Sequence, residues 1–313
     1  MTPDASHPAA LPVKAEGAGP GRLDAAPVPS GRKAAIARSF DAAAASYDAH
    51  AAVQREVARR LADRIAGLDL PPAPRVLEIG CGTGLLSEAL LRRLPGAQCL
   101  FTDLAPAMVR RCREKLSARG GVGFAVMDGE APAVAGGFDL VTSSFAFQWF
   151  LDLGGSVDRL ALCLKVGGRL VFSTLGAETF AEWRAAHAAL GLPYGGAALS
   201  TAAALRSRIG AVGEGGEPPA LRGAIEEERI LRRYPEPRAF LRELKGLGAD
   251  VPGPGHRPLT AGSLRRLLRR IERAAGNGDG FAVTYHVLYG SFVRIKAASH
   301  AASRLSAVAA PSR

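Results

Sequence analysis

Apolar residues recur at every fourth position between Ala51 and Ala66, at Val53, Val57, Leu61 and Ile65, with Arg and Asp on the other face. That period predicts an amphipathic helix that buries one stripe. The helix runs into Pro71, Pro72 and Pro74, which stop it. Beyond the prolines, short apolar runs alternate with helical periods. Strands are predicted at Arg75–Ile79, Gln98–Thr102, Gly123–Val126, Phe138–Ser143 and Arg169–Ser173, and helices at Leu85–Leu94 and Pro106–Ala118. Such alternation implies right-handed β-α-β crossovers, hence an α/β protein whose parallel sheet is covered by helices on both faces. Ligands of such sheets bind beyond the carboxyl ends of the strands.

Further along, helices are predicted at Thr179–Leu190 and Thr201–Val212, then a charged strand-like stretch at Ala224–Arg233. Helices at Pro237–Gly246 and Gly262–Ala275 follow, and then a long alternating run, Phe281–Ile295, with strand character. The two late strands are expected to complete the sheet and the helices between them to form a small cap. Residues 1–33 are rich in Ala, Pro and Gly without any period, so a disordered extension is expected there, with order beginning near Ile36. Asp4, Glu16 and Asp24 argue against a transit peptide. One domain is expected over 34–296, with its cap drawn mainly from 34–50, 179–212 and 237–275, and a flexible tail is expected over 297–313. No internal repeat is visible.

With 48% hydrophobic and 22% charged residues the chain can bury a core. No run approaches the ~18 consecutive apolar residues of a membrane span, and the N-terminus lacks the apolar core of a secretory signal. A soluble, cytoplasmic protein with no membrane partner is expected. Cys81, Cys99, Cys112 and Cys163 form no C-x-x-C pair and no zinc spacing, so they read as buried or free thiols with no metal site. A net charge of +11 favours an acidic partner or substrate through long-range attraction. It does not choose among nucleic acid, an acidic protein and an anionic metabolite, and a solvated Arg-rich surface explains it equally well.

Candidate chemistry begins at Val76-Leu77-Glu78-Ile79-Gly80-Cys81-Gly82-Thr83-Gly84, a strand emptying into a glycine-rich turn that opens a helix. Alternate glycines let the backbone turn tightly and approach a ligand closely. The spacing departs from the G-x-G-x-x-G of dinucleotide sites because Leu85 follows Gly84, and no Gly-Lys-Ser/Thr marks a phosphate loop. At the end of the next strand Asp103 can accept hydrogen bonds from both hydroxyls of a ribose, or can cap the helix that starts near Pro106. Met127-Asp128-Gly129-Glu130 follows the third strand. With a strand before each, these three loops form a nucleoside-binding constellation.

The acidic G-x-G-x-G pattern resembles motif I of the class I S-adenosylmethionine-dependent methyltransferases. Within them, Phe40-Asp41-Ala42-Ala43-Ala44-Ala45-Ser46-Tyr47-Asp48, Ser144-Phe145-Ala146-Phe147-Gln148-Trp149 and Phe172-Ser173-Thr174-Leu175-Gly176 resemble the malonyl-acyl-carrier-protein O-methyltransferases of biotin synthesis. Leu241-Arg242-Glu243-Leu244-Lys245-Gly246-Leu247-Gly248-Ala249 and Thr284-Tyr285-His286-Val287-Leu288-Tyr289-Gly290 fit that family's cap helix and last strand. The resemblance runs from about Arg38 to Lys296. Lys165-Val166-Gly167-Gly168 replaces the usual Lys-Pro-Gly-Gly, and Leu192-Pro193-Tyr194-Gly195 and the stretch after Ala249 depart from the family pattern.

The resemblance implies a Rossmann-like methyltransferase fold with a mostly parallel seven-stranded sheet. It implies S-adenosylmethionine as cofactor and methylation of the free carboxylate of a malonyl thioester, borne on acyl carrier protein or coenzyme A. It further implies that Tyr47 and Gln148 close the pocket and orient the substrate carboxylate, with Phe145 and Trp149 as apolar walls. Gly80 and Gly82 would face the methionine portion, Glu78 would tether its ammonium or brace the loop, and Asp103 would hold the ribose, with Cys81, Gly84 and Leu104 also at the cofactor. Asp128 and Gly129 would meet the adenine, with Ser144 at the cofactor. Arg265, Arg266, Arg269, Arg270 and Arg273 share one helix face, where an acidic carrier protein could dock.

Methylation of a small free acid such as trans-aconitate shares the same core. Complex I assembly hydroxylases, which act on a protein arginine, have a similar core but typically carry His-Trp where this chain has Gln148-Trp149. Nucleic-acid methylation is disfavoured because Ser144-Phe145-Ala146-Phe147 stands where an Asn/Asp-Pro-Pro-aromatic would hold a base, and an inactive binding protein is disfavoured by the complete nucleoside set.

Overall fold

The computed structural model describes residues 31–210, 221–253, 255–275 and 280–296. The expected extension up to residue 30 and the expected tail from Ala297 lie outside the described residues.

Helix α1 (Gly31–Ala43) starts earlier than the expected onset of order near Ile36, because Ala34, Ile36 and Ala37 are buried and Lys33 is ion-paired. A short helix α2 (Tyr47–His50) leads into α3 (Ala52–Ala66), whose predicted stripe of Val53, Val57, Leu61 and Ile65 is buried. Strands β1 (Arg75–Ile79), β2 (Gln98–Asp103), β3 (Val122–Val126), β4 (Phe138–Ser144) and β5 (Leu164–Leu175) run parallel, with α4 (Leu85–Arg93) and α5 (Pro106–Leu116) as crossovers. The second half carries α7 (Ala181–Ala189), α8 (Ala202–Gly210), β6 (Leu221–Tyr234), α9 (Pro237–Gly246), α10 (Ala261–Ala275) and β7 (Phe281–Arg294). The described residues form a seven-stranded sheet of order β3-β2-β1-β4-β5-β7-β6, with β7 antiparallel to both neighbours.

A helix that sequence reasoning missed, α6 (Leu153–Cys163), lies between β4 and β5. Gly154 and Gly155 in its first turn are poor helix formers and hide its period. Tertiary hydrogen bonds set its start instead. Asp152 accepts from the Gly155 N–H at 3.1 Å, while Glu130 accepts the Leu151 and Asp152 N–H groups at 2.8 and 2.7 Å.

Each central strand buries both faces, as a helix-covered parallel sheet must. On β1, Val76 packs with the α3 stripe, while Leu77 and Ile79 join Val141, Leu160 and Phe172 on the opposite side. The reversal of strand order between β1 and β4 leaves a crevice at their carboxyl ends.

A buried polar node ties α9 of the cap to the sheet. Tyr234 Oη donates to Glu243 Oε1 at 2.6 Å, Tyr285 Oη lies 3.1 Å from Tyr234 Oη and 3.3 Å from Glu243 Oε1, and Arg232 pairs with Glu243 at 3.2 Å. Burial pushes both phenols above their ordinary range. Glu243→Ala leaves one of the two buried hydroxyls without an acceptor and Arg232 without its carboxylate partner. It is expected to cost about 2 kcal/mol in urea denaturation, whereas Glu236→Ala, in an exposed pair with Arg242, should cost under about 0.5 kcal/mol.

Candidate active site

Three cavities that share walls lie at the carboxyl end of the sheet. The first, of about 760 Å³, is covered by α1 and opens over β1, β2 and β4. The second, of about 860 Å³, reaches from α2 and α3 beneath the cap. The third, of about 320 Å³, lies beside the turn after β1.

That turn is fixed by backbone geometry. Gly80 has φ +70°, and a Cβ on it would stand 2.4 Å from the Ala146 Cβ, so only glycine fits. Cys81 N–H donates to the Thr102 carbonyl at 2.8 Å, and Gly82 N–H donates to Asp103 Oδ2 at 2.8 Å. The other Asp103 oxygen accepts the Ala105 N–H at 2.8 Å. Burial pushes the Asp103 carboxyl up to about 6, against the opposing pull of these two N–H donors. Glu78 sits deeper, 1% exposed, with Oε2 accepting the Ser87 hydroxyl at 2.7 Å. Burial pushes it up to about 8.

The segment that carries Phe40 to Asp48 is clamped onto this frame. Asp41 Oδ1 accepts the Ala107 N–H at 2.7 Å, so the start of α5 is satisfied by Asp41 from another helix while Asp103 serves the turn. Phe40 meets the Trp149 ring edge-on at 5.4 Å. Asp48 accepts the Thr83 hydroxyl and pairs with Lys115. Tyr47, held between these anchors, lines all three cavities. Burial, with Asp103 and Asp48 nearby, pushes its hydroxyl above its ordinary range, so it remains a proton donor at neutral pH.

After β4, Phe145 adopts φ +53°, a left-handed conformation that costs a non-glycine residue roughly 1–3 kcal/mol and needs support from its surroundings. Its N–H donates to the Ser173 carbonyl at 3.0 Å, and its own carbonyl accepts Gln148 Nε2 at 2.7 Å. Gln148 Oε1 in turn accepts the Thr174 hydroxyl at 3.1 Å. Gln148 thus holds Phe145 in place before it can touch any ligand.

At the far end of the first cavity, Asp128 Oδ1 accepts the Glu130 N–H at 2.9 Å, and Lys33 bridges Asp128 and Glu130 at 2.6 Å each. A Cβ on Gly129 would lie 2.3 Å from Ile79 Cγ2.

The first cavity gathers Tyr47, Gly80, Gly82, Asp103, Leu104, Asp128, Gly129, Ser144, Phe145 and Trp149. Glu78 and Cys81 face the third, and Gln148 faces the second. Gly84 lines none of the three. It precedes α4 at φ +91°, packed against Cys112 and Leu116, which is a backbone requirement. Sequence reasoning gave no role to Lys33, Phe40, Gln54, Phe150, Tyr194 or Tyr285, all of which line these cavities. Lys33 stands in a stretch with no period, whereas Gln54 borders the stripe of α3 and was legible only as a polar edge. Among the described residues lining the second cavity there is no Asp, Glu, His, Lys or Arg. All four cysteines are buried and free. No helix of the described residues is long and apolar enough to cross a membrane.

A methyltransferase-domain family profile matches residues 77–170. The chain is 44% identical over 264 residues to the malonyl-[acyl-carrier protein] O-methyltransferase of Magnetococcus marinus, covering 84% of this chain and 93% of that one. It is 36% identical to the protein of the same name from Methylococcus capsulatus, covering 78% of this chain and 86% of that one. It is 43% identical to the biotin biosynthesis bifunctional protein BioCD of Bordetella avium, covering 82% of this chain and 52% of that one. Among solved structures it resembles the methyltransferase bound to the Haloferax volcanii Trm112 activator, with TM-score 0.53, 19% identity and coverage of 85% of this chain and 100% of that one. It also resembles the Bacillus YcgJ protein, with TM-score 0.52, 15% identity and coverage of 76% and 99%. These two likenesses show the class I methyltransferase fold.

Because Glu78 keeps its proton more tightly when folded than when unfolded, the ligand-free protein should lose stability as pH rises from about 4.5 to about 8. Glu78→Gln is expected to flatten that slope, read as melting temperature against pH.

Proposed function

The chain belongs to the malonyl-[acyl-carrier protein] O-methyltransferase family, and we propose that it uses S-adenosylmethionine to convert the free carboxylate of a malonyl thioester to its methyl ester in biotin synthesis. The observation that carries this reading is the pair of cavities separated by Phe40, Tyr47, Phe145 and Trp149, one built for a nucleoside and the other neutral.

The residues present fit the cofactor. Asp103 keeps lone pairs for the ribose hydroxyls beyond those engaged by Gly82 and Ala105, and Gly80 leaves room that a side chain would fill. Asp128 and Gly129 border the adenine end, with Phe150 as an apolar face. When bound, S-adenosylmethionine supplies an electrophilic methyl group on a cationic sulfur.

The second cavity contributes orientation and exclusion of water. A carboxylate of pKa about 4 is already ionised at neutral pH, so no general base is needed, in keeping with a lining that has no Asp, Glu or His. Tyr47 and Tyr194 offer hydroxyls, while Phe40, Phe145 and Trp149 keep the reacting end dry. The positive charge that balances the substrate carboxylate comes with the methyl donor, since the described lining supplies none. Orientation in such a site can be worth roughly 7–11 kcal/mol of barrier. Gln148 acts first by holding Phe145, with one amide hydrogen left for the substrate.

Arg265, Arg266, Arg269, Arg270 and Arg273 are exposed on α10, while Leu267, Leu268 and Ile271 are buried. The helix packs on α9, whose Leu244 lines the second cavity, so an acidic carrier docked there would deliver its acyl arm toward the cap.

Methyl transfer from labelled S-adenosylmethionine to malonyl-carrier protein, malonyl-coenzyme A and trans-aconitate should be seen with the malonyl thioesters. Tyr47→Phe is expected to lower kcat/KM roughly 10- to 100-fold, the worth of one hydrogen bond to a charged group, with S-adenosylhomocysteine binding weakened far less. Arg266→Glu with Arg270→Glu should raise KM and blunt the salt dependence for the carrier-borne substrate alone. Transfer to trans-aconitate only, or to none of the three with the nucleoside still bound, would overturn the malonyl assignment.

A further inference from the structure

The side chain of Gln54, on α3 and outside the three nucleoside loops, stands where the second and third cavities meet. Its Oε1 is buried and has no hydrogen-bond partner. Leaving such an acceptor unmade costs roughly 1–3 kcal/mol, a cost that a donor on a ligand lying in these cavities would remove. The third cavity shares Tyr47, Gly80, Gly82 and Ser144 with the first, so a ligand lying along the first cavity continues into the third past the turn. This continuation offers side-chain acceptors, with Glu78 held protonated by burial in the ligand-free protein. Glu78 forms part of its wall, and the described residues lining it include no Lys, Arg or His. An ammonium group satisfies both Gln54 and Glu78.

Resting on the methyl-donor reading above, we infer that Gln54 is a binding residue for the amino-acid end of the methyl donor, its Oε1 accepting a hydrogen bond from the α-ammonium. The residue thus reaches the donor from the helix that precedes the sheet, on the side where Tyr47 borders the substrate cavity. Holding the ammonium there restricts the sulfur end of the ligand to the junction of the cavities, where Phe145 and Trp149 stand.

The test uses two ligands that share the nucleoside and differ in the amino acid. S-adenosylhomocysteine carries the α-ammonium and 5′-methylthioadenosine does not. By titration calorimetry on the full chain, Gln54→Leu is expected to weaken S-adenosylhomocysteine roughly 10-fold, the scale of one hydrogen bond to a charged group, and to leave 5′-methylthioadenosine unchanged. Gln54→Glu retains an acceptor and is expected to keep S-adenosylhomocysteine affinity well above that of Gln54→Leu. Melting curves of each variant establish that it is folded. Equal weakening of both ligands, no weakening of either, or a Gln54→Glu loss as large as that of Gln54→Leu would overturn the assignment. So would an unchanged S-adenosylhomocysteine affinity with a raised KM for the malonyl substrate, which would move Gln54 to the second cavity. If the wild type binds neither ligand, the methyl-donor reading fails and this inference fails with it. If it binds both and the variants match it, the inference alone fails.

Discussion

Everything at the carboxyl end of this sheet depends on a carboxylate that must remain useful while half-buried. Asp103 ends β2, and its two oxygens accept the N–H groups of Gly82 and Ala105, each at 2.8 Å. These bonds join the turn after β1 to the chain entering α5. They also oppose the desolvation that pushes the group up to about 6, keeping it largely ionised at neutral pH. An amide could not accept from both N–H groups and still offer lone pairs to a pair of hydroxyls. The glycines follow from the same constraint. The backbone at Gly80 and Gly82 has to pass close to the carboxylate and the facing loop, and Ala146 leaves no space for a Cβ at Gly80.

A second consequence is that the N-terminal segment becomes part of the site. Asp41 takes over the start of α5, Asp48 anchors on Thr83 in the glycine turn, and Lys33 spans Asp128 and Glu130. Three charged anchors therefore distribute one short stretch of chain over all three ligand loops. Phe40 and Tyr47 lie between the anchors and complete, with Phe145 and Trp149, the wall shared by two cavities. The left-handed Phe145 fits this picture. Its strain is tolerated because Ser173 and Gln148 hold its backbone from both sides, and the ring is thereby fixed in the partition.

The parts of this arrangement that were legible in the sequence are those enforced by period and by backbone geometry. The α3 stripe, the parallel strands and the glycine turn appear where the pattern puts them, because burial on both sheet faces and a positive φ leave few alternatives. Legibility fails where a contact is made across long sequence separations. The diglycine start of α6 carries no helical signal, and its boundary is set by Glu130, some distance back in the chain. Gly84 matched a binding motif, and the structure places it at the entry to α4, outside the lining of the three cavities. Gln148 matched a substrate role, and its bonds to Phe145 and Thr174, which the sequence pattern does not reveal, leave one amide hydrogen free of them. Lys33 had no pattern at all, since its meaning lies in two acids that are adjacent only in the folded chain.

Charge is distributed so that attraction and reaction occur in different places. The surplus of +11 includes an exposed arginine face on the cap, while the described lining of the second cavity has no charged group. On the reading proposed above, an anionic substrate would be drawn to the surface by a screened, long-range field and would then enter a region whose described lining has no fixed cation to pair with. A Lys or Arg inside would hold the carboxylate more tightly in the ground state and would have to release it as its charge is lost in reaction, so uniform binding of that kind would not speed the chemistry. Neutral hydroxyls and aromatic walls would orient the anion without overstabilising it. The charge it does meet is the one neutralised in the same event, which makes a dry, uncharged lining the arrangement that favours transfer to a carboxylate.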